Sequence, residues 1–390
     1  MPVEYNTKIH ETITEIGRAT WSALESPDFP FADYDFLAAL ESSGSLGERT
    51  GWFPLYLAVR SGDDKLQGVI WLYLKTNSYG EYIFDWDWAR AYEENGVAYY
   101  PKLVSAIPFT PATGPNFLVA PGVDRETMAP LLIRQALSLY QQSQASSFHA
   151  LFVPQKDCAL WLDQGLTLRH SFQYHWHNNG YGSFDGFLEQ LKGKRRRQIN
   201  RERQSLQGMD ATIHIATGSD LTPAHADAAW SFYENTTQEK YAIPYLTRAF
   251  FEEIFTTMAD RILFIYAARD GRILAGSLFL HKGAHLYGRY WGFREDIRNL
   301  HFEICYYKPM EFAIDQKIEL FEAGAQGAHK LQRGFLPNLT YSAHQIRHQA
   351  FQKAIDRFIR MEQRQTQHRI NDELEHSPFR DPSGNHQSRC

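Results

Sequence analysis

LYLAVRSGDDKLQGVIWLYLK, from Leu55 to Lys75, and LFIYAARDGRILAGSLFLHK, from Leu263 to Lys282, decide the fold. Each is an apolar run, then Ala-x-Arg or Ala-Ala-Arg, then a turn rich in Gly and Asp. Each continues with Leu-x-Gly and a second apolar run that ends in Lys. Strand, polar Gly/Asp turn, strand is the signature of a β-hairpin. Gly68 and Gly276 hold matching places 208 residues apart.

The flanks repeat as well. After the first hairpin the sequence predicts a strand at Tyr82–Trp88, an irregular Pro-rich stretch from Pro101 to Pro121, a helix at Arg125–Gln142 and a strand at Ser147–Val153. After the second it predicts a strand at His285–Trp291, a helix at His301–Gln316 and a strand at Ile318–Ala323. Two passes through hairpin, strand, helix and strand point to a duplication. Between the copies, Ser183 is placed to cap a helix starting at Phe184, with Asp185 favourable in its first turn. The expected units are residues 1–180 and 181–360, with a polar, mobile tail at 361–390.

The chain has 390 residues, with 43% hydrophobic and 14% aromatic residues, which is ample for buried cores. That composition excludes a disordered chain. The formal net charge of -5 means that any polyanion contact must come from a local patch. Cys158, Cys305 and Cys390 have no paired spacing, so neither a disulfide framework nor a zinc site is indicated. The N-terminus lacks the pattern of a secretory signal. No apolar run approaches the roughly 18–20 residues of a membrane-spanning helix. The expectation is a cytoplasmic protein.

Hairpin, strand, helix, strand resembles the core of the GCN5-related N-acetyltransferase (GNAT) fold. Two such units, with a basic helix opening the second, resemble the FemAB-like group. SYGEYIFDWDWA (Ser78–Ala89), YYPKLVSAIPFTPATGP (Tyr99–Pro115), LYGRYWG (Leu286–Gly292), HFEICYY (His301–Tyr307) and FEAGAQGAHKLQRGFLP (Phe321–Pro337) resemble one branch of it, described as predicted N-acyltransferases linked to peptidoglycan. The resemblance implies an α/β fold of two tandem GNAT-like units, each a mixed, mostly antiparallel sheet flanked by helices. It also implies transfer of an acyl or aminoacyl group to a small-molecule or peptide amine, by direct attack and without a covalent enzyme intermediate. Acyl-CoA or aminoacyl-tRNA would be the co-substrate, with no permanently bound cofactor. The competing reading is a GNAT-like shell without chemistry that binds cell-wall precursors or RNA.

The candidate residues fall in four places. Lys192, Lys194, Arg195, Arg196, Arg197, Arg201 and Arg203 stand against one acid, Glu202. Such a helix face suits RNA phosphates or a nucleotide-linked substrate, and a solvated face is the plainer alternative. Gly324, Gly327 and Gly334 allow close backbone approach in a loop that also carries His329, Lys330 and Arg333. It resembles the Lys-bearing loop of FemAB-like enzymes, which makes Lys330 the leading candidate to steady an oxyanion or a phosphate. A structural turn with surface cations is the alternative. Arg289 and Tyr290 lie on the strand that splays from its neighbour in the GNAT fold, and period-2 alternation puts them on opposite faces. Glu303, near a helix start, and Glu322, on the last strand, compete to be the base that frees the attacking amine. Asp85 and Asp87 alternate with Trp86 and Trp88 and could bind a cationic or sugar-like acceptor, or simply end a strand at the surface.

Two further readings go against particular chemistries. The loop Gly292–Leu300 lacks the glycine pattern with which acetyl-CoA users cradle pyrophosphate at a helix N-terminus, and it carries Glu295 and Asp296. His175 and His177 have a two-ligand metal spacing without an evident third ligand, so no metal is expected.

Overall fold

The computed structural model describes residues 5–24, 26–239, 243–324 and 327–380. Thirteen strands are formed by these residues: β1 (Tyr5–His10), β2 (Trp52–Ser61), β3 (Leu66–Lys75), β4 (Lys102–Ser105), β5 (Phe117–Val119), β6 (Ser147–Val153), β7 (Thr167–His177), β8 (Thr212–Thr217), β9 (Ile262–Arg269), β10 (Arg272–Lys282), β11 (His285–Phe293), β12 (Leu320–Glu322) and β13 (Leu336–Ile346). No helix among them is long and apolar enough to cross a membrane.

Both quoted stretches are hairpins. In the second, Arg269 pairs with Arg272 across Asp270 and Gly271, which have φ of 49° and 75°. Two consecutive positive φ values define the tight turn that Asp-Gly favours, because its twist matches that of the strands. In the first hairpin β2 and β3 pair from Trp52↔Lys75 to Arg60↔Leu66. The matched glycines serve different neighbours. A Cβ on Gly68 would meet Leu132 and Met128 of the helix Arg125–Gln142, whereas one on Gly276 would meet Phe264 and Phe232.

The chain divides into two compact units, residues 1–171 with 339–367 and residues 172–338 with 368–390. Strand order is β1-β2-β3-β4-β6-β13 in the first, with β5 also on β3, and β7-β12-β11-β10-β9-β8 in the second. In each, the strand after the hairpin pairs in parallel with the strand after the helix: β4 with β6, and β11 with β12. Each of those last strands then takes an antiparallel partner from the far half of the sequence. β6 pairs with Tyr341–Ile346 of β13, and β12 with His175–His177 of β7. This exchange makes the units discontinuous in sequence, where blocks divided at 180/181 and 360/361 were expected.

Local signals set the helices. Asp124 Oδ1 accepts from Glu126 N at the start of Arg125–Gln142, and Ser183 Oγ accepts from Gly186 N at the start of Phe184–Gln190. The first helix lays Met128, Leu132, Ile133, Ala136 and Tyr140 over Leu57, Val59, Ile70 and Leu72 to form the first unit's core. In the second unit, Ile304, Tyr307, Met310 and Ile314 of the helical stretch Leu300–Asp315 pack with Leu263, Ile265, Phe279 and Phe321.

Three expectations are corrected. Tyr82–Trp88 is not a strand: Tyr82 has φ of 61°, which breaks extended backbone, and Trp86–Glu94 is a helix burying Trp88 and Tyr92 one turn apart. The strand that follows the first unit's hairpin is β4, inside the stretch taken as irregular. The tail does not begin at residue 361, because the helix Gln349–Glu375 runs through it and Phe379 enters the second unit's core. Residues 381–390, with Cys390, lie outside the described residues.

Gly292 marks a tight contact in the second unit. A Cβ there would stand 2.5 Å from Phe232 Cβ and 2.6 Å from its carbonyl oxygen, on the helix Pro223–Glu239. Because a helix backbone cannot yield as a side-chain tip does, Gly292→Ala should cost about 1–3 kcal/mol in urea unfolding. A change within about 0.5 kcal/mol would show that the helix shifts freely.

Candidate functional site

In the second unit the parallel ladder between β11 and β12 lasts three pairs and ends at Tyr287↔Glu322. From Gly288 onward β11 continues without that neighbour. Its pairing with β10 passes from Leu278↔Tyr290 to Phe279↔Gly288, which leaves Arg289 as the extra residue of a β-bulge. The bulge cancels the expected alternation. Arg289 and Tyr290 come to the same side, with Arg289 Nη2 donating to Tyr290 OH at 3.1 Å and its guanidinium 5.1 Å from the ring centroid. Tyr290 in turn packs on Tyr233 and Phe251.

The chain leaves β12 into the glycine loop. Gly324 and Gly327 have φ of 79° and 121°, and the turn Ala328–Arg333 that follows closes at Gly334 with φ of 93°. Ala325 and Gln326 lie outside the described residues. This path carries Lys330 inward until it is only 2% exposed, with Nζ donating to Gly324 O at 2.8 Å. Burial lowers its pKa to about 8, against a small opposing pull from the Cys305 thiol. Cys305 sits in the helical stretch after Leu300 and is bonded to Ser277; burial pushes its pKa far up. A thiol held protonated is a poor nucleophile.

Glu322, the last residue of β12, is buried, and its Oε2 is 3.7 Å from His175 Nε2. Burial, reinforced by His177, Lys330 and His285, lowers the His175 pKa to about 3, so the ring is neutral. Neither of its ring nitrogens has a hydrogen-bond partner among the described residues. Lys330, Glu322, His175 and Cys305 thus gather where the ladder ends. The arrangement supplies a donor for a developing oxyanion and, in Glu322, a carboxyl group able to accept a proton. His175 was noticed in the sequence only for its spacing from His177, and Cys305 and Ser277 carried no local signal at all.

Other candidates are occupied elsewhere. Arg203 holds both oxygens of Glu303, at 3.1 and 2.9 Å, and reaches Glu311 at 2.6 Å. Burial raises the Glu303 pKa in spite of Arg203, but its oxygens are committed to a guanidinium and not poised as a base. Arg333 is spent in the same way. It donates to Tyr307 OH, His329 O and Glu202 Oε1 at 2.8–3.0 Å and lies 3.4 Å from the centroid of Phe302. His329 Nε2 meets Tyr306 OH at 2.8 Å. Asp85 and Asp87 belong to the first unit; Asp87 is exposed beside Arg90.

The basic helix, Gly193–Gln204, has two faces. Ile199 is buried, Arg195 donates to Gln198 and Gln332, and Glu202 accepts from Arg333 and Tyr307. Lys194, Arg197 and Arg201, at helical spacing, are exposed, and Arg196 is half-buried. At the other end of β11 a cleft is lined by Trp291, Phe293, Glu295, Asp296, Leu300 and His301. Glu295 there is ion-paired with Arg269, both oxygens at 3.1 Å, and Asp296 is exposed shortly before the next helix.

Comparison with curated proteins finds no match. Among solved structures, FemX superposes with a TM-score of 0.54 at 12% identity, covering 90% of this chain and all of that one. L-PGS from Bacillus licheniformis gives 0.50 at 11% identity, covering 83% and 95%. The C-terminal domain of a provisionally named lysylphosphatidylglycerol synthetase from Agrobacterium fabrum gives 0.53 at 10% identity, covering 88% and 95%. At such identities the likeness speaks for the fold alone, and it agrees with two tandem GNAT-like units. A family model described as FemAB-like, peptidoglycan biosynthesis/recognition, matches residues 12–381. A match over nearly the whole chain decides the matter: this protein belongs to the FemAB-like family.

Proposed function

We propose that the chain transfers an acyl or aminoacyl group from an activated donor to a substrate amine, with Lys330 at the reacting centre. The observation that carries this reading is the buried Lys330, its pKa lowered to about 8, beside Glu322 and His175 where the β11–β12 ladder ends. The neutral amine attacks the donor's carbonyl carbon. The oxyanion of the tetrahedral intermediate takes a hydrogen bond from the Lys330 ammonium. Glu322 takes the proton that the nitrogen sheds, with His175 Nε2 3.7 Å from its carboxylate. Collapse breaks the bond to the donor's leaving oxygen or sulfur, which departs with the proton that Glu322 hands on. The protonated Cys305 thiol speaks against an acyl-cysteine intermediate.

A charged tRNA suits the outward cations Lys194, Arg197 and Arg201 better than acyl-CoA suits the acidic cleft at Glu295 and Asp296. The family description supports a peptidoglycan-related amine as acceptor. The test is transfer of label to an amine acceptor from charged tRNA or from acyl-CoA. Transfer abolished by RNase assigns the tRNA donor, and transfer from acyl-CoA alone replaces it. No transfer from either overturns the reading in favour of a binding module.

The cations give a separate expectation. Arg197→Glu with Arg201→Glu should weaken tRNA binding and flatten the slope of log K against log salt by about two, for two lost phosphate contacts. An unchanged slope would place the tRNA elsewhere.

A further inference from the structure

The basic helix and the turn that carries Lys330 are joined by side chains of both, within the second unit. Arg333, 3% exposed, closes that turn. Each nitrogen of its guanidinium has a partner of its own. Nε donates to Tyr307 OH at 3.0 Å, Nη1 to His329 O at 2.9 Å and Nη2 to Glu202 Oε1 at 2.8 Å. Tyr307 OH donates in turn to Glu202 Oε2, which closes a ring of three side chains. Phe302 covers the guanidinium, with its ring centroid 3.4 Å away. Gln332, next to Arg333, adds a second link by accepting from Arg195 of the helix at 3.2 Å.

What this ring holds is the backbone at Lys330. His329 O belongs to the planar peptide that joins His329 to Lys330. Both ends of that peptide are tied: its carbonyl accepts from Arg333, and its N–H donates to Gly327 O at 2.9 Å. The peptide after Lys330 is bonded too, since Phe335 N donates to Lys330 O at 3.3 Å. A lysine side chain loses rotamer freedom when it is buried, and the flanking Gly324, Gly327 and Gly334 leave the chain loose on either side. The turn therefore needs an outside hold to keep Lys330 inward.

The pair of Arg333 with Glu202 is largely buried, the side chains being 3% and 12% exposed. Such a pair is weak evidence for stability, because desolvation offsets much of the attraction. What it supplies is direction. A planar guanidinium aims its donors at fixed angles, which the point charge of an ammonium does not.

We propose that Arg333 is a positioning residue for Lys330, and that Glu202 of the basic helix holds it in place. Arg333 acts through the His329–Lys330 peptide and keeps the ammonium inside, where the β11–β12 ladder ends. The helix then has a separate task on each face, with Lys194, Arg197 and Arg201 outward and Glu202 inward. The effect on transfer rests on Lys330 as the reacting centre, whereas the effect on the placement of Lys330 does not.

NMR of the full chain with isotope-labelled lysine tests this, with Lys330→Met to assign the Lys330 signal. The titratable groups around Lys330 are Glu322, His175, His301, His329 and Cys305, and the test variants change none of them. Arg333→Met with Glu202→Gln removes opposite charges together, so neither is stranded and the net charge near Lys330 is unchanged. Wild-type Lys330 should titrate near 8. In the double variant the ammonium can reach water, and its midpoint should move toward 10.5 by about one unit or more. Transfer at pH 7 should lose about tenfold or more in kcat, with the donor's KM within about twofold, and its alkaline limb should follow the titration. Arg333→Lys keeps a cation opposite Glu202 but loses the fork, so it should show the same shift, and it serves if the double variant does not fold. A Lys330 midpoint that stays near 8 in a folded variant would overturn the proposal. A shifted midpoint in a protein that transfers from neither donor would support it while the functional reading fails, so the two fail separately.

Discussion

Lys330→Met is expected to lower acyl transfer by about 10²–10³-fold, the loss typical of one oxyanion donor, while raising stability at neutral pH. The two effects have one cause. Burial lowers the Lys330 pKa from the usual 10.5 to about 8, so the folded state strains against the charge it carries at pH 7. Between pH 8 and 10.5 the unfolded chain binds more protons than the folded one, and stability therefore rises with pH across that window. Below it the full cost of the buried ammonium is present. Methionine has similar length and no charge, and loses only the bond to Gly324 O. The net gain should be on the order of 1–2 kcal/mol at pH 7 and should vanish above the window. Wild-type transfer should fall as pH rises through about 8, when the ammonium is lost. Thermal melts across pH, with rates on the same samples, read both. A variant that keeps its transfer rate removes Lys330 from the reaction. One that loses rate and stability together reduces it to a structural lysine.

What was legible in the sequence was what neighbours in the chain decide. The Asp270–Gly271 turn, the Asp124 and Ser183 caps and the helix Arg125–Gln142 all rest on contacts within a few residues. β4 was hidden because four residues between prolines carry too little pattern, and its strand character comes from β3 and β6. The exchange of β7 and β13 depends on pairings such as His344 with His149, 195 residues apart, for which no local signal exists. The aromatic–acid alternation at Asp85–Trp88 read as period 2 and therefore as a strand, whereas the Tyr82 backbone breaks the extension and Trp86–Glu94 is a helix.

The site divides in the same way. Lys330 stood out because its glycine loop resembles the Lys-bearing loop of FemAB-like enzymes. Glu303 looked free because Arg203, which takes both its oxygens, lies 100 residues earlier. Arg333 read as a free cationic donor for substrate for the same reason, since Glu202 is 131 residues away. Seven cations in the basic helix looked equivalent in sequence, yet the fold spends Arg195 and Arg203 internally and leaves Lys194, Arg197 and Arg201 exposed.

Lys102→Met should be the most destabilising single change in the first unit, by about 3–5 kcal/mol at pH 7, because it strands the buried carboxylates of Glu81 and Asp85, to which Lys102 Nζ donates at 2.8 and 2.5 Å. Burial already pushes the Glu81 pKa up to about 7 against the pull of Lys102. Asp85, equally buried, is held below the usual carboxylate range by Lys102, with His149 adding to it. Remove the lysine and both folded-state values rise above those of the unfolded chain. The folded variant then binds more protons than the unfolded one, so its stability grows as pH falls toward the unfolded carboxylate values of 4.5 and 3.8. The wild type moves the other way at Asp85, whose depressed pKa contributes stability above 3.8 and loses it as pH falls below. The gap between the two proteins should therefore close on acidification, and urea titrations at pH 8, 7 and 5 measure it. Adding Glu81→Gln and Asp85→Asn to Lys102→Met should recover part of the loss at pH 7, since the stranded carboxylates are gone and Lys75, buried nearby with its pKa lowered to about 7, can give up its charge. A single variant whose deficit is the same at pH 5 and pH 8 would mean that lost packing, not stranded charge, sets the cost.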